Sequence, residues 1–191
     1  VSEKEEAPIV DRCRVCYVAH NTDYKLQEEL TSYAIGSETR TTLTNQELHQ
    51  DPNLNYAASV AAVMTRLPRS EKLTPIETMK LSAGEVAGEK SIKTLAEVID
   101  TLNQNPDITK RFGQKGFGQR NLGRSIQLLI ESSETNEGRC MFAYDIYKAF
   151  ERVILDYVND ANDRSKYLED LKTAKGLYRE RIMTEMFNAY M

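Results

Sequence analysis

Two long stretches near the end of the sequence contain apolar residues every three or four positions, and this periodicity limits the possible folds more than any other feature. The stripes fall in 137–161 and 165–190; their members are Phe142, Ile146, Ala149, Phe150, Val153 and Tyr157, then Leu168, Leu171, Ala174, Tyr178, Ile182 and Met186. Helical propensity alone stabilises an isolated helix only weakly, so each stripe has to be buried against other elements. The joint between them is short and polar, which predicts an antiparallel pair.

The same period recurs upstream in shorter segments, which are separated by glycine, proline and polar residues. Gly36 is expected to end the first of these helices. The clearest helix start is Thr74-Pro75-Ile76-Glu77, which combines an N-cap, a proline in the first turn and a capping-box glutamate. No stretch alternates well enough to form a sheet. We therefore predict an all-α protein, an irregular helical bundle of about 6–8 helices with a long C-terminal helical hairpin.

The domain organisation follows from composition and length. Residues 1–22 are interpreted as an N-terminal arm that carries a CxxC motif, and 23–191 as a single α-helical domain in which any subdivision would fall near 104–124. Three cysteines in 191 residues favour a reducing compartment, so we expect a cytoplasmic protein. The sequence contains no apolar run of membrane-spanning length, and we expect no membrane span.

A basic, glycine-rich segment stands out in a chain whose net charge is −4. Residues 110–124 contain no acidic residue, and we predict a binding loop there that is formed by Lys110, Arg111, Lys115, Phe117, Arg120 and Arg124. Glycines allow backbone N–H groups to approach phosphate oxygens, and a phenylalanine can stack on a base. The partner of this loop is expected to be nucleic acid, phosphate or an acidic protein surface. The alternative is a solvated loop whose phenylalanines fill the core.

Two further segments have weaker signatures of phosphate or metal binding. Cys13, Cys16 and His20 have the spacing of three zinc ligands, with His49 or Cys140 as the fourth, but they lack the second knuckle that makes such motifs specific. The alternative is that these cysteines are buried apolar side chains. We expect no cofactor. The segment 84–91 resembles a P-loop superficially, but its glycines are too close together and Glu89 interrupts it, so it is interpreted as a helix break recapped by Ser91.

The C-terminal helix ends in an apolar, methionine-rich sequence. We predict a protein interface there, formed by Met183, Met186, Phe187 and Tyr190. The alternative is that this end docks on its own bundle.

No catalytic motif is recognisable, since the two histidines have no evident nucleophile or carboxylate partner. The leading hypothesis is therefore a non-catalytic structural or adaptor subunit that binds a protein partner or forms a homo-oligomer. The alternative hypothesis is a nucleic-acid-binding subunit, of the coat or nucleoprotein kind, that uses the loop 110–124.

Overall fold

The computed structural model describes residues 18–42, 48–107, 110–134 and 140–191. Within these residues the chain is almost entirely helical, which confirms the predicted all-α class. Seven helices are formed: α1 (Tyr24–Thr42), α2 (Leu54–Arg66), α3 (Pro75–Ser82), α4 (Ile92–Asn103), α5 (Gln119–Glu134), α6 (Ala143–Tyr157) and α7 (Ala161–Tyr190). None of these helices is both long and apolar enough to cross a bilayer.

Helix α2 is the centre of the bundle. Eleven of its thirteen residues are buried, because α1, α6 and α7 all pack against it. The predicted hairpin of α6 and α7 is confirmed: the rings of Tyr147 and Tyr178 lie 6.0 Å apart, and the Tyr147 hydroxyl donates to the carbonyl of Ala174. Burial of these apolar faces is the main stabilising contribution to the fold.

The described residues also contain one minimal strand pair, which the sequence pattern did not predict. Strand β1 (His49–Gln50) pairs in parallel with β2 (Cys140–Met141). Asp51 extends this link, since its carboxylate accepts a hydrogen bond from the N–H of Ala143 at the start of α6. The pair thereby ties the segment that precedes α2 to the segment that precedes α6.

A smaller apolar cluster lies beside the main core. It is formed by α3, α4 and the segments that flank α3; its buried members are Leu73, Leu81, Ala87, Leu95 and Val98. The half-buried ring of Phe112 packs against both this cluster and the main core. Phe112 therefore joins the two groups of apolar side chains.

Candidate phosphate-binding site

A cavity of about 390 Å³ lies where the end of α2, the basic glycine-rich segment and the start of α7 meet. Its volume falls within the usual range for small-ligand sites. The lining residues are Thr65, Arg66, Leu67, Pro68, Arg69, Leu102, Asn105, Lys110, Arg111, Lys115, Asp163, Lys166 and Tyr167. Six of these side chains are cationic and one is a carboxylate, so the cavity is strongly basic.

Arg66, the last residue of α2, is the most deeply buried of the six cations, with 2% of its surface exposed. Its Nε donates to the carbonyl of Phe117 at 2.6 Å. Its Nη1 donates to the carbonyl of Asn21 at 2.8 Å and to Oε1 of Gln27 at 2.6 Å. The guanidinium therefore holds together α2, the chain before α1, and the glycine-rich segment.

The charge of Arg66 is not neutralised by any carboxylate among the described residues. All three of its acceptors there are neutral oxygens, and its buried Nη2 has no hydrogen-bond partner in that part of the chain. Burial lowers the pKa of Arg66 to about 10, which leaves it protonated at neutral pH. Because a buried charge without a counterion is costly, an anion in the cavity would relieve this cost.

Arg69 and Lys166 share one buried carboxylate, Asp170, on α7. The Arg69 guanidinium lies 3.0 Å from Asp170 and 2.8 Å from the exposed Glu169. Lys166 Nζ lies 3.1 Å from Asp170 and donates to the carbonyl of Thr65 at the end of α2. Burial raises the pKa of Asp170 above its usual value, although Lys166 and Arg69 oppose the shift.

The other three cations belong to the glycine-rich segment. Lys115 Nζ lies 2.8 Å from Asp163, and hydrogen bonding to this carboxylate raises the pKa of Lys115. Lys110 lies 3.7 Å from Asp107. Arg111 is half-buried and donates from Nε to a backbone carbonyl at 3.0 Å. All three are thus held at the cavity by polar contacts.

The glycine-rich segment reaches this position because two of its residues fit tightly against α2. Gly116 has φ +115°, and a Cβ placed there would lie 2.7 Å from backbone atoms of Thr65 and Arg66. Phe117 is buried, with its ring stacked on Phe150 at 5.2 Å and its N–H donated to Thr65 Oγ1. The segment can therefore approach α2 only with glycine at 116, since any side chain would collide.

The structure separates the six predicted loop residues into three groups. Lys110, Arg111 and Lys115 line the cavity. Phe117 fills the core, so its ring is unavailable for stacking on a base. Arg120 and Arg124 are on α5 and do not line the cavity. The guanidinium of Arg124 packs on the ring of Tyr157 at 4.1 Å. The basic run therefore contributes only its first part to the site.

Sequence reasoning missed Arg66, Arg69, Lys166 and Asp163. Arg66 carries the only available signal, a charged residue at the end of a long apolar run, SVAAVMTRLP. The others lie in polar stretches that predict solvated surface, and the packing of α7 against α2 brings Lys166 and Asp163 beside the arginines.

The predicted zinc site lies largely outside the described residues, because Cys13 and Cys16 fall there. His20 is described. Its backbone N–H donates to the carbonyl of Gly113. Burial of the imidazole, with a contribution from Arg66, lowers the pKa of His20. No group of three or more potential metal ligands occurs in the described part of the chain. The zinc site stays a prediction.

The predicted interface residues lie at the exposed end of α7. Met183, Met186, Phe187 and Tyr190 are between 51% and 88% exposed. Their exposure is compatible with an interface, which stays a prediction.

The segment 84–91 is a turn with positive φ at both glycines, and Ser91 caps α4 as predicted.

Comparison with known families identifies the chain. Residues 76–191, more than half of the sequence, match the family described as PrkA serine protein kinase C-terminal domain. The chain belongs to this family. No curated protein and no solved structure shows a significant match. The PrkA match begins in α3, so it includes the cavity residues from Leu102 to Tyr167, whereas Arg66 and Arg69 precede it.

The PrkA match corrects the functional hypotheses drawn from sequence. The prediction of a non-catalytic adaptor or assembly subunit is wrong, and so is the nucleic-acid-binding alternative, because the matched family is a C-terminal domain of a serine protein kinase, which indicates a kinase-related protein. The physical reason for the error is that the sequence contains no recognisable local catalytic motif, and a pattern of charged and apolar residues does not by itself specify a function.

Proposed function

We propose that this chain is the C-terminal domain of a serine protein kinase and that its basic cavity holds a phosphate group. The buried guanidinium of Arg66 supports the proposed phosphate site. Arg66 lines the cavity, and its Nη2 is unpaired among the described residues. The family match supplies the reaction class. The acceptor in this proposal is a serine of a protein chain, and the proposed location is the cytoplasm, which the three cysteines favour.

The arrangement suits the chemistry of phosphoryl transfer. In that reaction most catalysis comes from positioning and from electrostatic stabilisation of the phosphoryl oxygens. Arginine provides a planar fork of donors for such oxygens, and lysine provides a compact charge. Arg111 supplies guanidinium donors at this site, Arg66 adds a buried positive charge, and Lys110, Lys115 and Lys166 supply point charges.

The fixed positions of these groups matter as much as their charge. Arg66 is held by three hydrogen bonds and Lys166 by two contacts, so their donors are oriented before a ligand arrives. Donors that are already oriented lose little entropy on binding. In the proposed function these residues bind and orient the phosphate and stabilise the charge on its oxygens.

The test is formation of phosphoserine by the complete kinase that contains this chain. The protein is incubated with Mg²⁺, γ-labelled ATP and dephosphorylated casein, and the labelled amino acid is identified after acid hydrolysis. We expect label on serine. Absence of labelled serine with the complete protein, under conditions in which an unrelated serine kinase labels casein, would contradict the proposed function.

A further inference from the structure

We infer that the cavity recognises the phosphate of a phosphorylated serine in a protein chain, and binds it directly rather than through a metal ion. This inference rests on the proposed function, because it takes the cavity to be a phosphate site. It goes further by specifying the ligand class: a phosphomonoester on a peptide rather than a magnesium nucleotide.

The charges of the described residues leave two cavity cations without a carboxylate partner. Of the six cations, Arg69, Lys110, Lys115 and Lys166 form ion pairs, and the nearby Asp160 also acts on Lys115. Within the described ranges, Arg66 and Arg111 donate only to neutral oxygens. A serine phosphate carries about −1.5 to −2 charges at neutral pH. A single phosphomonoester therefore supplies a counter-charge for these two guanidinium groups.

The carboxylates beside the cavity are unfavourably placed for a magnesium nucleotide. A magnesium nucleotide needs oxygen ligands for the metal, usually from one or two carboxylates. Here Asp163 is occupied by Lys115 at 2.8 Å, and Asp170 is occupied by both Arg69 and Lys166. Binding Mg²⁺ at either carboxylate would break these ion pairs and add positive charge to a site that is already basic. A phosphate bound directly by the cations avoids both costs.

Exposure of the cations increases across the cavity, from the buried Arg66 to the outer side chains. Arg66 is almost fully buried, and the side chain of Lys166 is 24% exposed. The side chains of Arg69, Lys110 and Lys115 are between 45% and 68% exposed. A phosphate at the end of a serine side chain can enter the cavity above the buried charge of Arg66 while the peptide backbone stays near the exposed cations. These cations also favour acidic residues on either side of the phosphoserine.

The experiment measures binding of a fluorescent nonapeptide, with phosphoserine flanked by alanine and glycine, to the 191-residue chain by anisotropy. We expect the phosphorylated peptide to bind at least about tenfold more tightly than its serine counterpart, the range for charge-assisted hydrogen bonds to phosphate. Inorganic phosphate should displace it at higher concentration. Equal affinity of the two peptides, or no binding of either, would overturn the inference.

A matched pair of arginine variants locates the binding. Arg66 itself is unsuitable because it holds three backbone and side-chain acceptors, and its replacement would disturb the fold. Arg111→Gln removes a cavity cation, whereas Arg120→Gln removes an exposed cation of the same basic segment outside the cavity. We expect about a tenfold loss for the first variant and no change for the second. Equal effects of both variants would overturn the assignment to this cavity.

Competition with ATP separates the ligand classes. If Mg²⁺-ATP displaces the phosphopeptide at lower concentration than inorganic phosphate does, the cavity is a nucleotide site and the inference fails. Displacement by Mg²⁺-ATP that is no stronger than displacement by inorganic phosphate supports it. Neither result affects the proposed function, which is judged by phosphoserine formation in the complete kinase.

Discussion

Arg66 and Asp170 are the two charged side chains that are buried among the described residues, and both belong to the cavity region. Lys166 connects them, since it donates to the carbonyl of Thr65 beside Arg66 and pairs with Asp170. Charged groups are rarely buried without a partner. Their burial at one place is therefore the best residue-scale indication of a functional site in this fold.

Asp170 gives a prediction for the pH dependence of stability. Burial raises its pKa in the folded state above the ordinary aspartate value of 3.8, so the folded protein binds more protons at this carboxyl than the unfolded chain does. Stability contributed by Asp170 is therefore present below 3.8 and is lost as the pH rises through the folded pKa. The substitution Asp170→Asn removes this dependence.

The measurement is urea unfolding of the native chain and the Asp170→Asn variant between about pH 4 and pH 7, within the range where carboxyl linkage acts. The free energy of unfolding of the native chain, relative to the variant, should decrease as the pH rises. A relative stability that increases with pH would show that Lys166 and Arg69 lower the pKa of Asp170 in the folded state.

Individual site residues could be predicted from the sequence only where they cluster locally. Lys110, Arg111 and Lys115 belong to an acid-free run, and their charge asymmetry is visible in one dimension. Arg66 and Lys166 are one hundred positions apart, and the contact between α2 and α7 that brings them together depends on tertiary packing. Local charge patterns do not contain this information.

At the scale of elements, the close contact between the glycine-rich segment and α2 predicts that one added methyl group strongly lowers the free energy of unfolding. Gly116→Ala would place a Cβ 2.7 Å from backbone atoms of α2, at a φ of +115°. We expect a loss of about 3 kcal/mol in the free energy of unfolding, from backbone strain and overpacking together. The measurement is urea unfolding monitored by circular dichroism.

Gly123→Ala is the matched control, since it adds the same methyl group inside α5. A Cβ at this position meets nothing within 4 Å. Replacing a helix-interior glycine by alanine should stabilise the protein by up to about 1 kcal/mol. If the two variants had similar effects, the close approach of the segment to α2 would be wrong.

Helix starts were easier to predict than helix ends. The capping box at Thr74 is present, because its hydroxyl accepts from the N–H of Glu77 while the glutamate accepts from Thr74. The expected end of the first helix at Gly36 is wrong, since α1 continues to Thr42. A glycine ends a helix only where the chain adopts a left-handed conformation, and tertiary contacts decide this. The two-residue strands are too short to leave an alternating pattern.

At the scale of the molecule, the two apolar clusters predict uneven local stability. Helix α2 is enclosed on several sides, whereas only Leu95 and Val98 are buried in α4. Sub-global opening follows such differences in burial. In native-state hydrogen exchange, amides of α4 should show a lower opening free energy than those of α2. Equal protection of the two helices would mean that both clusters unfold as one unit.

The length of helix α7 sets a large distance between the cavity and the exposed methionines. Its thirty residues form one continuous helix, which begins at the basic cavity and ends at the exposed methionines. At a rise of about 1.5 Å per residue, Tyr190 lies about 36 Å along the axis from Lys166. The tip and the cavity are thus too far apart for one small partner to cover both. A protein docked on the apolar tip would leave the mouth of the cavity open to a second ligand.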